Sequence, residues 1–227
     1  MSSPAVQDYL KVIYQVTRGE AEPANTSTIA ERLHVQAGSV TGMLKRMAEQ
    51  GFIEHVPYYG ARLTRRGRRE ALRTIRRHRV IELFLVEVLG YTWDRVHDEA
   101  DALEHAASDE LIDRLALVLG EPATDPHGDP IPGRDATIEE RQYTALSDLE
   151  VGRLAVLRRV SDEDPAALRY LANLKLRPGA RVEVKEHSPF NGPVRVLVDG
   201  RDEQVLGREL SSSLQVEPLD MESPDEA

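Results

Sequence analysis

Residues 27–63 read STIAERLHVQAGSVTGMLKRMAEQGFIEHVPYYGARL, and the fold is decided here. Ser27 or Thr28 can cap a short helix running through Ile29, Ala30 and Leu33. A turn at residues 36–38 leads into a second helix over 39–50, with Val40, Met43, Leu44 and Met47 on one face and Gly51 at its end. Two short helices joined by a tight turn, the second closed by glycine, predict a helix-turn-helix. Residues 52–63 are β-prone and broken by Pro57 and Gly60, as in a hairpin wing.

Upstream, residues 4–18 predict a helix whose Val6, Tyr9, Leu10, Ile13, Tyr14 and Thr17 form one stripe. Downstream, a long helix is expected over 65–89, rich in arginine over its first half and apolar over its second, followed by helices at 93–106 and 108–119. Residues 120–147, opening EPATDPHGDPIPGRD, hold too much Pro, Gly and Asp for regular structure and predict a linker. Beyond them GRLAVLRRV, ARVEVKE, PVRVLVD and SLQVEP alternate as strands around one helix at 165–174, which predicts a small, partly closed barrel. The expected architecture is mainly α with a β C-terminal module. A winged helix-turn-helix would occupy 1–73, a helical domain 74–147 with its linker from 120, an SH3-like module 148–220 and a disordered tail 221–227.

The 227 residues are 30% charged and 41% apolar, with no cysteine. Disulfides, thiolate metal sites and thiol nucleophiles are thereby excluded. No run approaches the roughly 18 apolar residues of a membrane span, and the N-terminus lacks a secretory pattern, so a cytoplasmic setting is expected. The net charge of -10 divides unevenly: residues 1–80 hold 14 Lys/Arg against 7 Asp/Glu, while the remainder holds 15 against 32. Such asymmetry suggests that the N-terminal end meets a polyanion. If 39–50 is a recognition helix, Ser39, Thr41, Gly42, Lys45 and Arg46 face away from the core stripe, with Gln36 at the preceding turn. Short hydroxyls and a glycine can approach base edges closely, and Lys45, Arg46, Arg62, Arg65, Arg66 and Arg68 can neutralise phosphates. A protein-binding winged helix with incidental basic residues is the alternative.

A second constellation follows. In a helix His78 and Glu82 are i, i+4 neighbours, and Asp101, Glu104 and His105 share a face with His97 one turn earlier. Glu and His on facing helices are a recurrent way to hold a divalent cation. Imidazole and carboxylates without sulfur suit Mn²⁺ or Fe²⁺ better than thiol-bound zinc. A helical metalloenzyme, with Glu82 or Glu104 activating a metal-bound water, remains an alternative, as does a metal-insensitive DNA binder with solvated carboxylates.

Taken together, QDYLKVIY, SVTGMLKRMAEQGFI, LTRRGRR, RRHRVIELFL, VHDEADALEH and DPHGDPIP resemble the family of the diphtheria toxin repressor, iron-dependent regulator and manganese transport regulator. The resemblance spans nearly the whole chain, including the SH3-like module that many members append. It implies a metal-activated homodimeric repressor of metal-homeostasis genes that binds double-stranded operator DNA, with no small-molecule substrate and no membrane partner. Its two sites per subunit would hold Mn²⁺, or Fe²⁺ as the alternative. The primary site would draw on Asp8, Asp101, Glu104 and His105. The adjacent one would draw on His78, Glu82 and His97, with Asp125, His127 and Asp162 as further candidates. Iron-responsive members carry methionine and cysteine at the positions of Asp8 and Asp101, and manganese-responsive members carry carboxylates, so the resemblance favours manganese. Lys11 departs from the glutamate that completes a two-metal cluster in members lacking the third domain. Residues 83–89 and 111–119 are expected to supply dimer faces, setting the recognition helices to half-sites about 34 Å apart. Because histidine ligands must be neutral, activation is expected to weaken as pH falls towards about 6.

Overall fold

The computed structural model describes residues 2–17, 22–56 and 59–219. The wing tip at Pro57 and the tail expected at 221–227 lie outside the described residues. The chain divides into two compact units, residues 1–84, 99–122 and 131–139 in one, and residues 85–98, 123–130 and 140–227 in the other.

In the first unit, α1 (Pro4–Thr17) precedes α2 (Thr26–Arg32) and α3 (Ala37–Glu49). The helix expected from Ser27 or Thr28 starts earlier because Asn25 is the cap: its side chain accepts from the Ser27 amide at 2.9 Å. Helix α3 likewise begins two residues before the expected start, after Gln36. Val40, Leu44 and Met47 on α3 are buried in one core with Leu10 and Ile13 of α1, Ile29 of α2, and Phe52. The wing is the antiparallel pair β1 (Ile53–Val56) and β2 (Gly60–Leu63), in register from Ile53–Leu63 to Val56–Gly60. Ala24 adds a bridge to Ala61, exchanging backbone hydrogen bonds of 2.8 and 3.0 Å.

Helix α4 (Arg65–Glu87) is entered through Thr64, whose hydroxyl donates to the Phe52 carbonyl and accepts from the Gly67 amide. It stops two residues short of the expected end, where Gly90 adopts φ 72° and the Tyr91 amide reaches back to the Leu85 carbonyl. Helix α5 is Val96–Glu104, shorter than the expected 93–106, and α6 is Asp109–Val118, capped by the Ser108 side chain. Its first turn carries Asp109 and Glu110, which complement the helix dipole. Within the first unit, residues 131–139 are irregular but anchored, since the buried Arg76 guanidinium donates to the Pro132 carbonyl at 2.9 Å.

The second unit is built on one antiparallel sheet of six strands: β3 (Thr144–Ala145), β4 (Leu154–Arg159), β5 (Arg181–His187), β6 (Val194–Val198), β7 (Asp202–Leu206) and β8 (Gln215–Pro218). Their spatial order is β3-β8-β4-β5-β6-β7. Helix α7 (Pro165–Asn173) follows β4, and α8 (Arg208–Ser213) precedes β8. Alternate valines, Val182, Val184, Val194, Val196 and Val198, turn inward to pack with Leu157, Leu168, Leu171 and Trp93. Strands β3 and β7 and helix α8 were not expected from the sequence. Strand β7 is an edge strand with Asp, Glu and Gln at its first three positions, so it lacks the β-branched alternation of its neighbours. No helix among the described residues is long and apolar enough to cross a membrane.

Gly67 is where α4 meets the wing, and a Cβ there would be driven into the Phe52 carbonyl. Gly67→Ala is expected to destabilise the first unit by about 2 kcal/mol, read as a lower denaturation midpoint with unchanged slope.

Candidate metal centre and nucleic-acid interface

Glu104, the last residue of α5, is buried and divides its two carboxylate oxygens between different partners. Oε2 accepts from Lys11 Nζ of α1 at 2.9 Å and lies 2.6 Å from His78 Nδ1 of α4. Oε1 faces the other way, 3.7 Å from His105 Nε2. Lys11 also donates to Asp101 Oδ1 at 2.8 Å, and His78 Nδ1 approaches the same oxygen at 3.1 Å. One turn along α4, Glu82 Oε1 lies 3.0 Å from His78 Nε2. Burial alone would lower the His78 pKa, but the Glu82 carboxylate and the hydrogen bonds to Asp101 and Glu104 outweigh it and hold it well above the usual histidine value. Lys11 Nζ also stands 3.0 Å from His78 Nδ1, and both nitrogens approach the same carboxylates of Asp101 and Glu104. Burial also works against the charged Lys11, yet Glu104 and Asp101 raise its pKa overall. Burial likewise acts to raise Asp101, but bonding to His78 and the Lys11 charge hold it below the usual carboxylate range.

On the far side of Glu104, Asp8 Oδ1 stands 2.9 Å from His105 Nε2. The ligating atoms of Asp8, Glu104 and His105 lie within 4.8 Å of one another. His105 is oriented by Gln7, whose buried Oε1 is 2.7 Å from Nδ1. With Nδ1 donating to Gln7, Nε2 is the ring nitrogen that faces the two carboxylates and could serve as a ligand. Three groups able to donate electron pairs then converge, with Lys11 bound to the other oxygen of Glu104, and oxygen with imidazole is the donor chemistry of a divalent cation site. Burial raises the Asp8 pKa, partly opposed by His105, as expected of a carboxylate brought close to Glu104. Gln7 had no signal in the sequence beyond its position beside Asp8.

The remaining candidates separate by unit. In the second unit His97 Nδ1 lies 3.6 Å from Asp162 Oδ2, and ligating atoms of Asp162 and His127 lie within 4.8 Å. His127 is fully buried and stacks on Trp93 at 5.7 Å, with Nε2 2.8 Å from the Trp93 carbonyl. Because a carbonyl only accepts, the Nε2 proton is fixed and Nδ1 is the ligand-capable atom. Asp125 builds the turn that carries His127: its Oδ1 accepts from the amides of His127 and Asp129.

On α3 and at its cap, the residues read as DNA-facing, Gln36, Ser39, Thr41, Gly42, Lys45 and Arg46, are all exposed, as are Arg62 of β2 and Arg65 of α4. A Cβ at Gly42 would meet nothing within 4 Å. Packing within the chain thus gives no reason for glycine at 42. Thr41 Oγ1 donates to the Ala37 carbonyl at 3.2 Å, which keeps the hydroxyl oxygen on the exposed face.

Comparison with known proteins places this arrangement. Residues 1–61 match the iron dependent repressor N-terminal DNA binding domain, residues 64–133 the iron dependent repressor metal binding and dimerisation domain, and residues 144–218 the FeoA domain. The chain belongs to the iron-dependent repressor family, whose members are metal-dependent transcriptional repressors and not enzymes. It is 32% identical to the iron-dependent repressor IdeR of Mycobacterium leprae, over 93% of this chain and 96% of that one. Among solved structures it is similar to a manganese-dependent transcriptional repressor in complex with manganese, with a TM-score of 0.87 and 40% identity over 94% of this chain and all of the other. The manganese regulator SloR gives a TM-score of 0.76 and 32% identity, over 96% and 100% of the two chains.

Removing the Glu104 charge takes away one of the two carboxylates that hold buried Lys11, leaving Asp101 alone. Glu104→Gln is expected to destabilise the chelator-treated protein by about 3 kcal/mol, checked by chemical denaturation.

Proposed function

We propose that this chain is a manganese-responsive, homodimeric repressor whose activating ion is held by Asp8, Glu104 and His105, with Asp101 at the rim. The observation that carries the reading is the donor set: the carboxylates of Asp8 and Glu104 and the His105 imidazole converge with no sulfur ligand. Hard oxygen donors favour Mn²⁺ over softer competitors that would otherwise bind more tightly. Fe²⁺ is the second reading, favoured by the likeness to iron-dependent repressors. A second ion per subunit belongs to the same proposal, with His97, His127 and Asp162 as donors within the second unit.

Asp8 stands on α1, whose opposite face packs Leu10 and Ile13 against Val40, Leu44 and Met47 of the recognition helix. His105 and Glu104 stand at the end of α5. When bound, a divalent cation supplies the positive charge that the facing carboxylates of Asp8 and Glu104 lack. Asp8 then holds α1, and α3 with it, against α5, which narrows the positions open to the recognition helix. Ser39, Thr41 and Gly42 approach base edges while Lys45, Arg46, Arg62 and Arg65 engage phosphates. Exposed Leu111, Leu117 and Val118 on and beside the outer face of α6 supply apolar surface for the twin subunit.

Titration of DNA selected from a random pool, at fixed salt, is expected to show affinity rising at least about a hundredfold with Mn²⁺. Asp8→Ala should abolish that response, and a metal response equal to wild type would end the bridging role. Gln7→Leu, which frees the His105 ring, is expected to weaken Mn²⁺ binding about tenfold in equilibrium dialysis while leaving the circular dichroism spectrum unchanged.

A further inference from the structure

Within the first unit, α4, α6 and the segment after α6 enclose a cavity of about 60 Å³ whose polar lining is Arg73, Arg76, Arg77, Asp109, Asp113 and Arg134. Arg76 and Arg77 are buried and form its floor, while Arg73 and Arg134, each about half exposed, stand at its rim. A guanidinium offers five N–H donors in a fixed fork, and the chain answers few of these. Asp109 Oδ1 accepts from both Nε and Nη2 of Arg77, at 3.1 and 2.7 Å. Asp113 Oδ1 is shared between Arg76 Nη2 at 3.2 Å and Arg134 Nε at 3.3 Å. The Pro132 carbonyl takes Arg76 Nη1 and Glu121 takes Arg134 Nη2, each at 2.9 Å. Arg73 has Glu70 at 4.0 Å, beyond hydrogen-bond length. Glu70 and Glu121 stand outside the lining, so four positive charges face the space and Asp109 and Asp113 return two.

We propose that this cavity is an anion site that takes a phosphoryl group, from a free phosphate or from the DNA backbone. A tetrahedral oxyanion brings several acceptor oxygens and up to two negative charges in one small body, which answers both the surplus of donors and the surplus of charge. Arginine at all four cationic positions suits paired, planar contacts with such oxygens better than lysine would. The two sources follow from where the cavity lies. Arg69, Arg73 and Arg77 succeed one another at four-residue spacing on α4, along about 12 Å of a helix that starts beside the wing. A backbone phosphate can follow that row, and a free phosphate can enter from solvent past Arg73 and Arg134. The site shares no residue with Asp8, Glu104 and His105 and does not depend on the ion held there.

Isothermal titration calorimetry of the full, chelator-treated chain with inorganic phosphate, at ionic strength held constant with chloride, reads the first source. Arg73→Gln and Arg134→Gln change the half-exposed rim and leave the buried floor intact, and each is expected to weaken phosphate binding about tenfold. DNA binding by the same three proteins over a salt series reads the second. A slope of log affinity against log salt that is shallower by about 1 in the variants assigns the occupant to the DNA backbone. Weakened phosphate binding with an unchanged slope assigns it to a free anion. If neither variant weakens phosphate binding, or the wild type binds none, and both variants keep the wild-type salt slope, the proposal is overturned.

Discussion

Glu104 carries a negative charge into a region closed to water, and the surrounding helices are arranged around that charge. A buried carboxylate is tolerable only when opposite charge and hydrogen bonds replace its hydration. Here the replacement comes from Lys11 on α1 and His78 on α4, segments 93 and 26 residues away in the chain. Three helices must therefore be in place together before the charge is satisfied. The same carboxylate has a second oxygen, and Asp8 and His105 gather around it. One oxygen of Glu104 is thus compensated by the chain itself, and the other faces Asp8 and His105, where we propose that an ion is held.

Helix α1 transmits the consequence. On one face it carries Gln7, Asp8 and Lys11, and on the other Leu10 and Ile13 enter the core that also holds Val40, Leu44 and Met47 of α3. A close-packed core passes displacement on rather than absorbing it. The positions of α1 and α3 are consequently coupled through that shared core. A ligand that favours one arrangement of α1 shifts the population of α3 with it, to the extent of its differential affinity. The arginines near the wing belong to the same unit as α1 and α3.

Much of this was legible from residue spacing. The pitch of a helix alone sets His78 beside Glu82 and Asp101 beside Glu104, whereas His105 falls just beyond the end of α5. The core stripes of α1 and α3 and the inward valines of β5 and β6 follow from periods of 3.6 and 2 in the same local way. Strand β7 escaped notice because an edge strand needs backbone partners on one side only and tolerates polar residues at most of its positions. Helix starts moved by one or two residues where a cap such as Asn25, outside the apolar pattern, decided the first turn.

By itself the sequence determined the winged helix-turn-helix, the absence of sulfur ligands, the basic N-terminal third, and which donors share a helix face. Asp8 entered the site only through a family resemblance, because nothing local relates it to a histidine 97 residues away. Tertiary structure alone decided that Gln7 orients His105, that Glu104 splits its oxygens, and that Lys11 lies among His78, Asp101 and Glu104. The physical reason is range. Backbone geometry relates residues within a turn or two, whereas the meeting of α1, α4 and α5 depends on the packing of whole apolar faces and on the need to satisfy one buried charge.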